Sequence, residues 1–495
     1  MYKETLSKDL TKLVSLESAA FSLSRRYAGV GVAVVFLAIV WIAASVMSAG
    51  ADNQAFIVAA GVLGGYMALN IGANDVANNV APAVGAKSLT LLGALIIAGI
   101  FESAGAIIAG GDVVKTISKN IIDASMIPEA QVFMWVMMAA LLAAALWINF
   151  ATFVNAPVST THSIVGAVMG AGIAAAGIAV VEWRVMGAVA ASWVVSPLMG
   201  GIIAALFLAF IKFRIVYQPD KVAAAKRWVP VLVSLMAGVF AAYLVMKGLK
   251  PIWKAGGWTV IGIGVAVFAI TYAVVRPLIR RRAEGMENRN KSIRALFHLP
   301  LICAAALLSF AHGSNDVANA VGPLAAIVAT ASTHDVKTAV GIPPWVMYVG
   351  AAGITMGLLL FGPRLIRVVG DRITRMNPMR AYCVALSAAI TVIVASALGL
   401  PVSSTHIAVG AVFGVGFYRE WQTARRAHIN HGRVMKASAK KPSEWELLPP
   451  LEKAQRRKLV RRQHLWTIIA AWLITVPLSA AFAAGIFLAL RTFLG

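Results

Sequence analysis

The chain has 495 residues, of which 60% are hydrophobic and 13% charged, and 44 Lys and Arg against 20 Asp and Glu leave a formal net charge of +24. Many apolar runs reach the roughly 20 residues needed to cross a bilayer, so a water-soluble domain is excluded and a polytopic helical membrane protein is expected. The positive charge does not signal nucleic acid, because Lys and Arg cluster between apolar runs, as in cytoplasmic loops of membrane proteins. Cys303 and Cys383 are the only cysteines, both in apolar segments, which excludes a disulfide framework or zinc site and reads as small packed side chains.

In chain order, residues 1–27 carry Lys3, Lys8, Lys12, Arg25 and Arg26, which predicts a cytoplasmic start. The run from Ala28 to Ala49 follows these polar residues and is long enough to span, so it reads as a retained first helix rather than a cleavable signal. A second run from Phe56 carries Gly72-Ala73-Asn74-Asp75-Val76-Ala77-Asn78-Asn79, with Pro82 and Gly85 after it, and a helix interrupted near the motif is expected. Glu102 lies in the next run, Leu89 to Ala109, and a mixed loop follows with Asp112, Lys115, Lys119 and Asp123. The run Val132 to Phe150 leads into Pro157-Val158-Ser159-Thr160-Thr161-His162 and a Gly- and Ala-rich stretch.

After a span from Val185 to Ile211 comes a basic cluster of Lys212, Arg214, Lys221, Lys226 and Arg227. Two further spans, Val229 to Met246 and Trp258 to Leu278, return the chain to a second basic loop, Arg280 to Arg294. Both basic loops are expected inside. The second motif, Gly313-Ser314-Asn315-Asp316-Val317-Ala318-Asn319, then sits in a run that starts inside, whereas the first sits in a run that starts outside. Lys247, Lys250 and Lys254 fall in a loop that this count places outside, against the bias. The runs Ile342 to Phe361 and Ala381 to Leu400 follow, then Pro401-Val402-Ser403-Ser404-Thr405-His406, a basic loop from Arg419 to Arg462 and a last span, Leu465 to Leu490.

The expected fold is therefore all-α, with about 12 to 13 membrane segments, broken helices and helical hairpins in two inverted repeats, as in many secondary transporters. The boundaries expected are 1–55 for the cytoplasmic N-terminus and extra first helix, 56–211 for the first repeat and 212–293 for the connecting loops and helices. The second repeat is 294–418, the basic cytoplasmic loop 419–464 and the last helix 465–495, which ends outside.

Polar side chains at membrane depth are costly, and a repeated set points to a pathway or a bound ion. Asn74 and Asn78, or Asp75 and Asn79, lie four apart on a helix, so their oxygens converge on one face; Asn315, Asp316 and Asn319 do likewise. A carboxylate with amide and backbone oxygens suits a monovalent cation, which makes Asn74, Asp75, Asn315 and Asp316 the candidate cation ligands, with Asp75 and Asp316 holding the metal ion if the driver is sodium. Helix capping or interhelical bonding is the structural alternative. In the hydroxyl motifs, Ser159, Thr160, Thr161, Ser403, Ser404 and Thr405 open helices whose free N–H groups suit an oxyanion, again with plain capping as the alternative. Lys87 is the nearest cation and reads as an interfacial residue. Glu102, His162 and His406 are further coupling candidates, each with a packing or hydrogen-bonding alternative.

With these motifs in view, the chain resembles the inorganic phosphate transporter family, whose signature is a twice-repeated Gly-Ala-Asn-Asp-Val-Ala-Asn motif in inverted halves. The resemblance spans Phe56 to Gly416 and includes the Pro-Val-Ser-Ser/Thr-Thr-His segments and Phe101-Glu102 with Gly105. It implies phosphate symport driven by sodium ions or protons, with no cofactor and no enzyme activity. It also implies that Asn78 and Asn319 join the six hydroxyl residues around phosphate. Sulfate or a related oxyanion is the same-fold alternative, while a membrane hydrolase, a channel and a scaffold are the readings from other classes. A cell inner membrane location, lipid contact and no nucleic-acid partner are expected, and homo-oligomerisation stays open.

Overall fold

In a bilayer every backbone N–H and C=O must find a partner within the protein, and a chain with apolar runs of this length meets that demand as helices. The computed structural model describes residues 28–75, 77–127, 129–153, 158–249, 253–333, 341–372, 376–434 and 462–494. The expected N-terminal segment 1–27, Val76, Pro157, Lys250 and residues 435–461 of the expected basic loop lie outside them. Among the described residues, 11 helices are long and apolar enough to cross a membrane, and Thr160–Ala176 adds a shorter apolar one.

Helix α1 covers Ala28–Met47. It is followed by α2 (Gln54–Asn74), α3 (Ala77–Gly85), α4 (Leu91–Ala109), the short α5 (Gly111–Lys115), α6 (Ala130–Phe153), α7 (Thr160–Ala176) and α8 (Trp183–Ile211). The chain continues through α9 (Lys221–Tyr243), α10 (Gly257–Arg282), α11 (Asn290–Leu296) and α12 (His298–Thr333). It closes with α13 (Pro344–Arg372), α14 (Pro378–Ala397), α15 (Ser404–Val434) and α16 (Arg462–Leu494).

The two amide motifs are built differently. The first lies at a break, since α2 ends at Asn74 and α3 begins at Ala77, with Pro82 inside α3 rather than at the interruption. The second lies within one continuous helix, α12, almost all of which is buried.

Packing between the halves is reciprocal. α2 packs on α13 while α12 packs on α4, and α7 packs on α16 while α15 packs on α8. Lipid gives helices no hydrophobic reason to associate, so close approach through small residues carries the contact. A Cβ on Gly72 would collide with the Ile354 carbonyl oxygen, and one on Gly313 with that of Glu102. Gly357 meets the Leu69 carbonyl as Gly105 meets that of Phe310. These matched contacts put Glu102 and Ile354 in corresponding places. Gly166 and Gly170 press on Val476 and Ala480 of α16, as Gly410 and Gly414 press on Pro197 and Gly201 of α8. Each hydroxyl-bearing helix is therefore held by a late helix of the other half.

α9 and α10 pair with each other, and α10 buries little, with Trp258, Ile261, Val265, Ile270 and Val274 exposed. Cys383 is buried and Cys303 half-buried, as packed thiols. Lys87 is exposed at the turn after α3, where it adopts a positive φ of 56°.

Candidate functional site

Asp75 is the residue on which α2 stops, and its backbone N–H still closes on the Ile71 carbonyl. The two hydroxyl motifs open α7 and α15 at this place. Ser159 caps α7 by accepting from the His162 N–H at 3.1 Å, and Ser403 accepts from the His406 N–H at 3.4 Å. These are N-cap contacts of the usual kind. They leave the next two hydroxyls of each motif for the centre.

Thr160 Oγ1 donates to Asp75 Oδ2 at 2.7 Å, and Thr405 Oγ1 donates to Asp75 Oδ1 at 3.1 Å. Hydroxyls from both halves thus hold one carboxylate. Behind them stand amides of both motifs: Asn319 Nδ2 donates to Thr160 Oγ1 at 3.2 Å, and Asn78 Nδ2 to Thr405 Oγ1 at 2.9 Å. Ser404 Oγ donates to Asp316 Oδ2 at 3.2 Å, the counterpart of the Thr160 contact. Thr161 departs from the symmetry and donates to the Val402 carbonyl at 3.0 Å, while accepting from Asn319 at 3.3 Å.

Asn74 and Asn315 bind the hydroxyl loops through backbone. Asn74 Nδ2 donates to the Val158 carbonyl at 3.4 Å. Asn315 Nδ2 donates to Ser396 Oγ at 3.0 Å and the Leu400 carbonyl at 3.1 Å, and its Oδ1 accepts from Val402 N–H at 3.2 Å. Both amides, expected from the sequence as cation ligands, are here engaged in bracing contacts within the protein.

The opposite flank of Asp316 is an acid–imidazole chain. His312 Nε2 lies 2.8 Å from Asp316 Oδ2, and its Nδ1 lies 3.0 Å from Glu102 Oε1, which also accepts from Asn79 Nδ2 at 2.8 Å. All four side chains are buried. Glu102 is therefore tied to both motifs. Its counterpart in the other half is Ile354, so this chain exists on one side only.

His162 and His406 are buried behind the hydroxyls with ring centroids 4.9 Å apart, and Trp193 lies 3.7 Å from the His162 ring while donating to the Pro401 carbonyl at 3.1 Å. His162 Nδ1 lies 2.6 Å from Ser159 Oγ, so this ring is joined to the first hydroxyl motif.

Sequence reasoning missed His312, Asn79 as the Glu102 partner, and Trp193. The first had a readable signal, since His312 precedes Asp316 by four residues within a buried helical run. Trp193 had none.

The donor set fits a hard cation beside an oxyanion. Asp75 and Asp316 each offer a carboxylate oxygen within 4.8 Å of the other, and Asp316 Oδ1 and Asn319 Oδ1 are buried acceptors with no donor within the protein. A buried acceptor without a protein donor is a place for a ligand's proton, an ion or a water. Two helix N-termini and their hydroxyls supply anion donors without a fixed cationic fork. Ser159, Thr160, Thr161, Ser403, Ser404, Thr405, Asp75 and Asp316 are all buried and Asn78 is half-buried, so the site is closed.

The model of the "Phosphate transporter family" matches residues 71–483. A Helicobacter pylori (strain J99) protein named "Putative phosphate permease" is 43% identical over 97% of this chain and 98% of its own length. One of the same designation from Pyrococcus abyssi is 34% identical over 88% of this chain and 98% of its own. Among solved structures, "The sodium-dependent phosphate transporter" is similar with a TM-score of 0.78 and 34% identity, covering 89% of this chain and 100% of that one. With four polar motifs meeting in one closed site inside a membrane-spanning helical fold, the chain belongs to the phosphate transporter family, which is a family of transporters and not of enzymes.

Proposed function

We propose that this chain is a secondary transporter that moves inorganic phosphate together with sodium ions across the cytoplasmic membrane by alternating access. The observation that carries the reading is the double use of Thr160 and Thr405. Each hydroxyl has one proton, which now goes to Asp75. Neither proton can serve Asp75 and an anion at once. A cation that neutralises Asp75 releases both hydroxyls toward phosphate, and Ser404 is released likewise when Asp316 is satisfied. Without the cation, the carboxylates repel the anion and also hold its donors. Cation and anion then favour each other by the same factor, which is the thermodynamic content of symport.

The same geometry favours phosphate over sulfate. At neutral pH phosphate still carries an O–H, whereas sulfate carries none, and the unpaired acceptors Asp316 Oδ1 and Asn319 Oδ1 can take that proton. A site built to accept a substrate O–H rejects an analogue lacking it, because its acceptors stay unpaired. Sodium is the ion named for the similar solved transporter, and the hard oxygen set suits it. Proton coupling is a second reading, favoured by the Glu102–His312–Asp316 chain.

Phosphate uptake into proteoliposomes tests this, with an imposed sodium gradient, separately a proton gradient, and excess sulfate in each. Accumulation driven by sodium and resistant to sulfate is expected. Accumulation with the proton gradient alone would transfer the role to protons, and none with either would overturn the reading.

A further inference from the structure

We propose that Lys247 and Asp112 are positioning residues of the site, an ion-pair clasp that keeps the second hydroxyl motif in its closed place. The inference deepens the transport reading and rests on it for the motif's role. Lys247 is in the wider helical turn that ends α9, outside the two motif-bearing halves, yet its Nζ donates to Asp112 Oδ2 at 2.7 Å and to the Ala397 carbonyl at 2.7 Å. Ala397 is the last residue of α14, so its carbonyl is one of the four left over at a helix C-terminus, where a cation is favoured by the helix dipole.

A second tie runs beside the first. Thr116 Oγ1, just past α5, donates to the Gly399 carbonyl at 2.7 Å. Gly399 turns the chain with φ +69°, a conformation that L side chains rarely adopt, and Leu400 and Val402 then bind Asn315 through their backbone. Ser404 and Thr405 come next. From Lys247 to the aspartates the linkage is therefore continuous: clasp, α14 end, Gly399 turn, Asn315 brace, hydroxyls. Any motion that withdraws Ser404 and Thr405 with this loop must strain or break the clasp.

The pair is partly buried, at 19% and 34% side-chain exposure, so it is shielded from salt better than an exposed pair. It also accounts for Lys247 in a loop where the charge bias expects few cations, because Asp112 balances it.

The test uses the full chain with Cys303→Ala, Cys383→Ala and a reporter Leu400→Cys, in proteoliposomes, and measures the rate of maleimide labelling and the affinity for inorganic phosphate. Lys247→Met and Asp112→Asn should each speed labelling about fivefold or more and weaken phosphate binding, since the closed state loses population. Lys247→Arg, which keeps a donor for the Ala397 carbonyl and a partner for Asp112, should return both readings toward the parent. Labelling and affinity unchanged in both single variants, or a Lys247→Arg variant no better than Lys247→Met, would overturn the clasp. Labelling is read without transport, so a parent protein that fails to accumulate phosphate would count against the transport reading and leave the clasp result to stand by itself.

Discussion

At the residue scale the account turns on which group owns each hydroxyl proton. Asp75→Asn keeps the shape but removes the charge that a cation must neutralise, so coupled uptake should vanish while the protein remains folded by size-exclusion chromatography; Asp316→Asn should behave alike. Thr405→Ala removes a hydroxyl that passes from Asp75 to phosphate, and since a hydrogen bond to a charged group is worth about 1.5–3 kcal/mol, calorimetry of phosphate binding should show a clear drop in affinity. His312 gives a different expectation. His312→Ala leaves Glu102 and Asp316 facing each other without the imidazole, and an unbalanced buried charge costs about 3–5 kcal/mol. Thermal melting in detergent should therefore show His312→Ala to be more damaging than the double change with Glu102→Gln. Equal melting would mean that the histidine does not neutralise these acids. The two aspartates and the hydroxyls were legible in the sequence because they recur. Glu102 was legible too, as an acid within an apolar run, but its partner His312 occurs in one half only and without a second copy carries no such emphasis.

At the scale of elements, small residues decide which helices touch. Gly105 and Gly357 each meet a carbonyl of a motif helix, so Gly105→Ala or Gly357→Ala forces apart α4 and α12, or α13 and α2. Overpacking costs about 1–3 kcal/mol and more where the neighbour is backbone, and a lowered melting temperature is expected for both variants, whereas Gly187→Ala, with open space around it, should leave it unchanged. Most helix positions were readable from length and hydropathy, but α9 begins at Lys221 rather than Val229 and α13 runs to Arg372 rather than Phe361, because polar and basic residues extend these helices beyond their apolar runs. The break was readable only in part: Pro82 suggested it, yet the interruption falls at Asp75 and the second motif has none.

Across the whole molecule, the halves are interlocked. α8 completes the surroundings of α15, and α16 those of α7, so neither half encloses its own hydroxyl helix. Hydropathy marks a helix as apolar without naming its neighbour, which is why this exchange was not legible beforehand. If the interlock is as seen, fragments 1–285 and 286–495 produced together should co-purify, and a chain ending before α16 should fail to bind phosphate even though both aspartates are present. Retained binding in the shortened chain would show that α7 holds its place unaided.

A cation that neutralises Asp75 frees the Thr160 and Thr405 hydroxyls for phosphate, so the affinity of the purified protein for phosphate, titrated at increasing sodium with ionic strength held by choline, reads this coupling. The account predicts that phosphate affinity rises about tenfold or more with sodium, that phosphate raises sodium affinity by the same factor, and that Asp75→Asn loses this dependence. Phosphate binding that is tight and indifferent to sodium in the unaltered protein would contradict it.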